Sequence, residues 1–160
     1  MARWGHFDIS ELKKLAKGLE QMQKELPAFI ESCSNDAASM LLAKVVKRTP
    51  VGDYNGNWVE FTTSSGERVR FQTRYSRRGG TLRRGWTYGA RRRTPTGYET
   101  DVINPVEYSL YVEHGHRTAN HKGWVEGRFM LANSEAELKR ELPSILARRA
   151  EQFIKKHLEG

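Results

Sequence analysis

Two amphipathic helical patterns, one at each end of the chain, constrain this fold more than any other feature. Ile9, Leu12, Leu15, Leu19 and Met22 recur at three- and four-residue spacing on an otherwise charged segment. Phe29, Ile30, Cys33, Ala37, Leu41 and Val45 repeat the pattern. Asp8 and Glu11 stand where a capping box would open the first helix. Pro27 is expected to break that helix and to start a second, which runs to about Lys47. It must stop near Arg48, because the residue before Pro50 is pushed out of helical geometry. At the other end Leu131, Leu138 and Leu142 are helical in period, and Pro143 is expected to restart a helix through Ile145, Leu146, Phe153, Ile154 and Leu158.

Between the helices the period changes to two. Segments 58–62 and 68–73 read as a hairpin turned at Ser64-Ser65-Gly66, with Val69 and Phe71 on one face and Arg68 and Arg70 on the other. Leu82, Trp86 and Tyr88 suggest a further strand, and Tyr98 to Ile103 another. Tyr108, Leu110 and Val112 alternate with polar neighbours as a last strand, followed by a loop containing Gly115, Gly123 and Gly127. Short connections favour antiparallel pairing. The expected class is α+β: an antiparallel sheet packed against a long helix and C-terminal helices, in a single domain over 1–160 with an inserted basic hairpin at about 53–80.

Charge limits the partners. The 160 residues carry a formal net charge of +8, which favours polyanions or acidic protein surfaces. The excess is local: Arg68, Arg70, Arg74, Arg77, Arg78, Arg83, Arg84, Arg91, Arg92 and Arg93 stand against one acid, Glu67. Arginine pairs with phosphate or carboxylate through two hydrogen bonds. The segment 66–93, with Phe71, Tyr75, Trp86 and Tyr88 interleaved, can thus be read as a nucleic-acid-binding hairpin or as a surface that docks onto an acidic neighbour. Aromatic residues at strand spacing are more often core than base-stacking platforms, so assembly contacts rank first. No apolar run approaches the roughly 20 residues of a membrane span, and no apolar signal segment follows Met1, so a soluble, cytoplasmic product is expected. The lone Cys33 reads as a buried free thiol.

Catalytic patterns are weak. His114, His116 and His121 lie near Glu113, but zinc needs three or four ligands converging tetrahedrally. An extended strand would turn Glu113 away from the two histidines flanking Gly115. No metal, cofactor or catalytic residue is expected. Serines in turns offer no nucleophile elbow, and no glycine-rich phosphate loop occurs.

Several blocks, in order, resemble one family. Arg48-Thr49-Pro50-Val51 and then Leu82-Arg83-Arg84-Gly85-Trp86 are similar to a segment beginning RTPVDTG in a bacteriophage tail protein family. Residues Val102 to Tyr108, followed by Tyr111-Val112-Glu113-His114-Gly115-His116-Arg117, resemble its next segment. Gly123 to Leu131 is similar to its closing GWVPGRFML, with Glu126 in place of the proline. The family takes its name from the tenth gene product of phage HK97, and its members complete the tail or neck of tailed phages. The family's compact Asp-Thr-Gly turn is here opened by the hairpin of 58–74.

The resemblance implies a non-enzymatic structural protein of the virion, assembled in the host cytoplasm, that forms a ring, hexameric in symmetry, around the DNA passage. Its implied partners are copies of itself, the tail-tube, tail-terminator and head-connector proteins, and DNA in the lumen, with no membrane. The expected subunit interface is the loop with Glu113, His114, His116, Arg117, Trp124, Glu126 and Arg128, meeting Arg83 and Arg84 of a neighbour. Arg68, Arg70, Arg74, Arg77, Arg78, Arg91, Arg92 and Arg93 are the expected contacts to DNA or an acidic partner. Trp124, Phe129 and Met130 are expected to fix the loop to the core.

Overall fold

The computed structural model describes residues 9–52, 58–62, 68–72, 79–95, 97–118 and 120–158. The elements are α1 (Ser10–Arg48), β1 (Trp58–Thr62), β2 (Arg68–Gln72), α2 (Thr81–Gly85), β3 (Thr87–Thr94), β4 (Gly97–Ile103), α3 (Ser109–His114), β5 (Gly115–Arg117), β6 (Trp124–Glu126) and α4 (Met130–Leu158). The class is α+β, as the periodicity predicts. The described strands pair two by two: β1 with β2, β3 with β4, and β5 with β6. The basic hairpin is present, with antiparallel register from Trp58 opposite Gln72 to Thr62 opposite Arg68. Its side-chain faces, its turn, Arg74, Arg77, Arg78 and the Asp8 cap lie outside what is described.

Four expectations need correcting. Pro27 does not break the first helix, since α1 runs unbroken through it for 39 residues. Pro143 likewise lies inside α4. An internal proline removes one backbone hydrogen bond and crowds the preceding turn, at a cost of about 3 kcal/mol. Packing on both sides of each proline outweighs it. The expected strand at Leu82 is instead the short helix α2. Leu82 and Trp86 are four apart, a spacing that suits a helix as well as a strand, and only Leu82 of that pair is fully buried. The expected strand at Tyr108 is the helix α3. Its alternating apolar residues are not core: Tyr108 and Leu110 are exposed, Val112 is half-buried, and Glu113, expected on the outer face, is the buried residue.

Backbone contacts gather into two compact units, Met1–Leu41 with Tyr88–Val102 and Asn133–Gly160, and Leu42–Thr87 with Ile103–Ala132. In the first unit α4 lies antiparallel along α1. Phe29 and Phe153 stack with ring centroids 4.3 Å apart. Arg149 pairs with Asp36 and donates to Ser32 Oγ at 2.9 Å. Gly18 allows the closest approach, because a methyl group there would overlap the His157 carbonyl oxygen. Ser34 donates to the Tyr98 carbonyl at 3.3 Å and ties β4 to α1. Cys33 is half-buried and free.

In the second unit, Thr49 is the hub. Its side chain is fully buried and donates to the Val45 carbonyl at 2.7 Å. Its hydroxyl also accepts from Trp86 Nε1 at 2.8 Å, and its carbonyl accepts from Arg83 Nε at 2.8 Å. Asn104 holds the next turn: its amide donates to the Leu82 carbonyl at 2.8 Å, and its Oδ1 accepts from Val106 N at 3.1 Å. That side-chain turn directs the chain into α3.

Candidate functional site

The segment 108–131 is built as a closed loop in the second unit. α3 ends at Gly115, whose φ of 85° favours glycine and whose missing side chain leaves room first for the Val125 carbonyl and the Gly127 amide and then for the Trp124 ring. The chain then forms the β5–β6 ribbon, with Gly115 opposite Glu126, His116 opposite Val125 and Arg117 opposite Trp124. Thr118 organises the turn between the strands. Its amide donates to the Gly123 carbonyl at 3.0 Å, and its hydroxyl accepts from Gly123 N at 3.0 Å.

The returning chain is fastened to α3. Arg128 N donates to the Val112 carbonyl at 2.8 Å, and Phe129 N to the Glu113 carbonyl at 3.0 Å. Glu113 completes the closure. Its carboxylate accepts from Leu131 N at 3.1 Å and from Ala132 N at 3.0 Å, the first free amides of α4. Helix-start amides lack intrahelical acceptors and carry partial positive charge, so a carboxylate there is favoured.

Glu113 is therefore only 7% exposed and occupied within its own chain. Of the acids in the loop, Glu126 is the one that faces solvent. His114, Arg117 and Arg128 are exposed, and His116 is half-buried against Tyr111, ring centroids 6.0 Å apart. Arg83 is turned inward to Thr49, and Arg84 donates to the Gly79 carbonyl at 3.0 Å. The expectation that Trp124, Phe129 and Met130 all anchor the loop holds for Met130 alone. Met130 is fully buried, whereas Trp124 is 56% and Phe129 43% exposed. Phe129 is held outward by a positive φ of 48°.

Sequence reasoning missed the result of that geometry. Tyr108, Leu110, Tyr111, Trp124, Val125 and Phe129 are all large, apolar and exposed, within one loop and its helix. Alternation suggests that Tyr108 and Leu110 line a core. Their crowding with Trp124 beside glycines was the available signal.

The described arginines have different local surroundings. Arg92 lies 3.3 Å from both carboxylate oxygens of Asp101 and 3.9 Å from Glu99. Arg91 sits over the Tyr88 ring at 5.3 Å and Arg93 over Tyr98 at 6.0 Å. All three remain exposed, as does Arg68. Among the described residues no group of three or more His, Cys, Asp or Glu side chains is placed to hold a metal ion. No helix among them is long and apolar enough to cross a membrane.

A closed loop that displays large apolar side chains to solvent is a surface suited to contact with another molecule. The comparison with family models identifies the kind of protein that carries it. Residues 13–115 match the HK97-gp10-like model, described as "Bacteriophage HK97-gp10, putative tail-component", and the chain belongs to this family of phage tail components. No curated protein and no solved structure matches the chain.

Proposed function

We propose that this tail component forms a ring at the upper end of the tail, completes the tail there, and joins it to the head or its connector without catalysing a reaction. The family assignment supports the tail. One observation supports the ring: the exposed large side chains of Tyr108, Leu110, Tyr111, Trp124, Val125 and Phe129, carried by a loop fastened at both ends. A cyclic ring needs a heterologous contact, in which a protruding patch on one copy meets a different surface on the next. Buried aromatic anchors dominate such contacts. In this reading the loop, with His114, His116, Arg117, Glu126 and Arg128 at its rim, meets a neighbouring copy in a hexamer. Tail-tube, terminator and connector proteins are the axial neighbours, and DNA passes through the lumen.

Cryo-electron microscopy of the intact particle tests this. The expected result is a ring of this chain at the head-proximal end of the tail, with Trp124 buried between copies. Density for the chain elsewhere on the tail would refute the neck position. Trp124→Ala is expected to leave the helical content of the purified protein unchanged and to remove the chain from assembled particles. Full incorporation of the variant would refute the loop as the contact.

A further inference from the structure

The α1–α4 pair of the first unit has two unlike sides. On one, Lys14, Lys17, Gln21, Glu25, Lys156 and His157 are among the residues that line a groove of about 540 Å³. On the other, Leu12, Leu15, Leu19, Leu26 and Ile30 of α1 are 64, 44, 44, 42 and 39% exposed. Ile154 and Leu158 of α4 are 46 and 36% exposed. Each lies two positions from Lys156, more than half a turn around the helix, so they face away from the groove on the side of the leucines. Along α1 the positions Leu12, Leu15, Leu19, Met22, Leu26 and Phe29 step alternately by three and four, a coiled-coil seam. Met22 and Phe29 lie at its edge towards α4, half-buried, with Phe29 on Phe153, whereas Leu12, Leu15, Leu19 and Leu26 are uncovered.

We propose that this face pairs, antiparallel and about a two-fold axis, with the same face of a second copy, completing a four-helix bundle. A three–four repeat reads the same in both directions, so the stripe is complementary to itself turned end for end. The size fits. From Leu12 to Ile30 the face is roughly 27 Å long at about 1.5 Å per residue, and two helices make it roughly 20 Å wide. Each copy would cover about 500 Å², so the pair buries about 1,000 Å², where specific interfaces begin. The seam positions carry no charge although the chain carries +8, so the face selects an apolar partner rather than an acidic one. This pairing uses a different surface from the aromatic loop and does not depend on the ring.

The test is sedimentation velocity of the purified full chain over a range of concentration and salt. The expected result is a monomer–dimer equilibrium that tightens as salt screens the repulsion between two +8 chains. Nucleic-acid contamination would show the opposite dependence. Leu15→Glu with Leu19→Glu should lower the association constant by at least about tenfold, equivalent to about 1.4 kcal/mol, with helical circular dichroism retained. A second measurement avoids disturbing the seam: a spin label at the exposed Gln23→Cys, in a Cys33→Ser background, should give one narrow intermolecular distance. A monomer at every concentration, the absence of that distance, or a dimer dissolved by Trp124→Ala but not by the leucine variants would overturn the proposal.

Discussion

Glu113 shows how far one side chain can depart from a periodic pattern: strand alternation places it on the outer face, yet its carboxylate is buried over the first amides of α4. Glu113→Ala removes a charged helix cap and is expected to destabilise the fold by about 1–2 kcal/mol. Chemical denaturation measures this, and Glu113→Gln should lose less because one acceptor remains. Thr49 makes the complementary case. It lies in the RTPV block, and the structure gives it three bonding duties around a fully buried hydroxyl. Thr49→Val keeps the shape but leaves Trp86 Nε1 without its acceptor, an expected loss of about 1–2 kcal/mol. Thermal melting should register it as a drop of about 2–6 °C. A Thr49→Ser variant, which keeps the hydroxyl, should stay closer to the parent.

At the scale of elements, sequence reading succeeded where period and packing agree. The residues of α1 and α4, the basic hairpin and β4 all follow their apolar spacing. It failed where a local rule competed with long-range contact. Pro27 and Pro143 each predict a break, but the Phe29–Phe153 stack and the Arg149 pair lie beyond Pro27 on α1 and beyond Pro143 on α4. α3 failed for a different reason, because alternation signals a strand only when the apolar residues are inward. The join between α1 and α4 is also sensitive to acid. Hydrogen bonds from Gln21 first, then Lys156 and His157, lower the Glu25 carboxyl from its ordinary 4.5 to about 2. A depressed carboxyl contributes stability that is present above about 4.5 and is lost as pH falls towards 2. The stability difference between the parent and Glu25→Gln should therefore shrink across that window. A difference that stayed constant would show that Glu25 is not so held.

At the scale of the whole molecule, the family was legible because several short blocks recur in order, and the match over 13–115 bears it out. The display of aromatic residues was not legible. It depends on Phe129 taking a left-handed backbone and on Gly115 receiving the Trp124 ring, neither of which a linear pattern encodes. The ten arginines of 66–93 look continuous in sequence, but those described have different surroundings. Arg83 supports the Thr49 turn, and Arg92 is partly neutralised by Asp101 and Glu99. Replacing Arg91 and Arg93 by Ser removes only their exposed contacts over Tyr88 and Tyr98 and should cost at most about 1–2 kcal/mol. Denaturant titration can check this, and a larger loss would give those arginines a structural role. The double fastening of the 108–131 loop has a further consequence. Backbone bonds to α3 and the Glu113 bridge to α4 hold the chain that carries Trp124 and Phe129 in one conformation. In the proposed docking little conformational entropy would be surrendered, so affinity drawn from burying them would not be spent on ordering that chain.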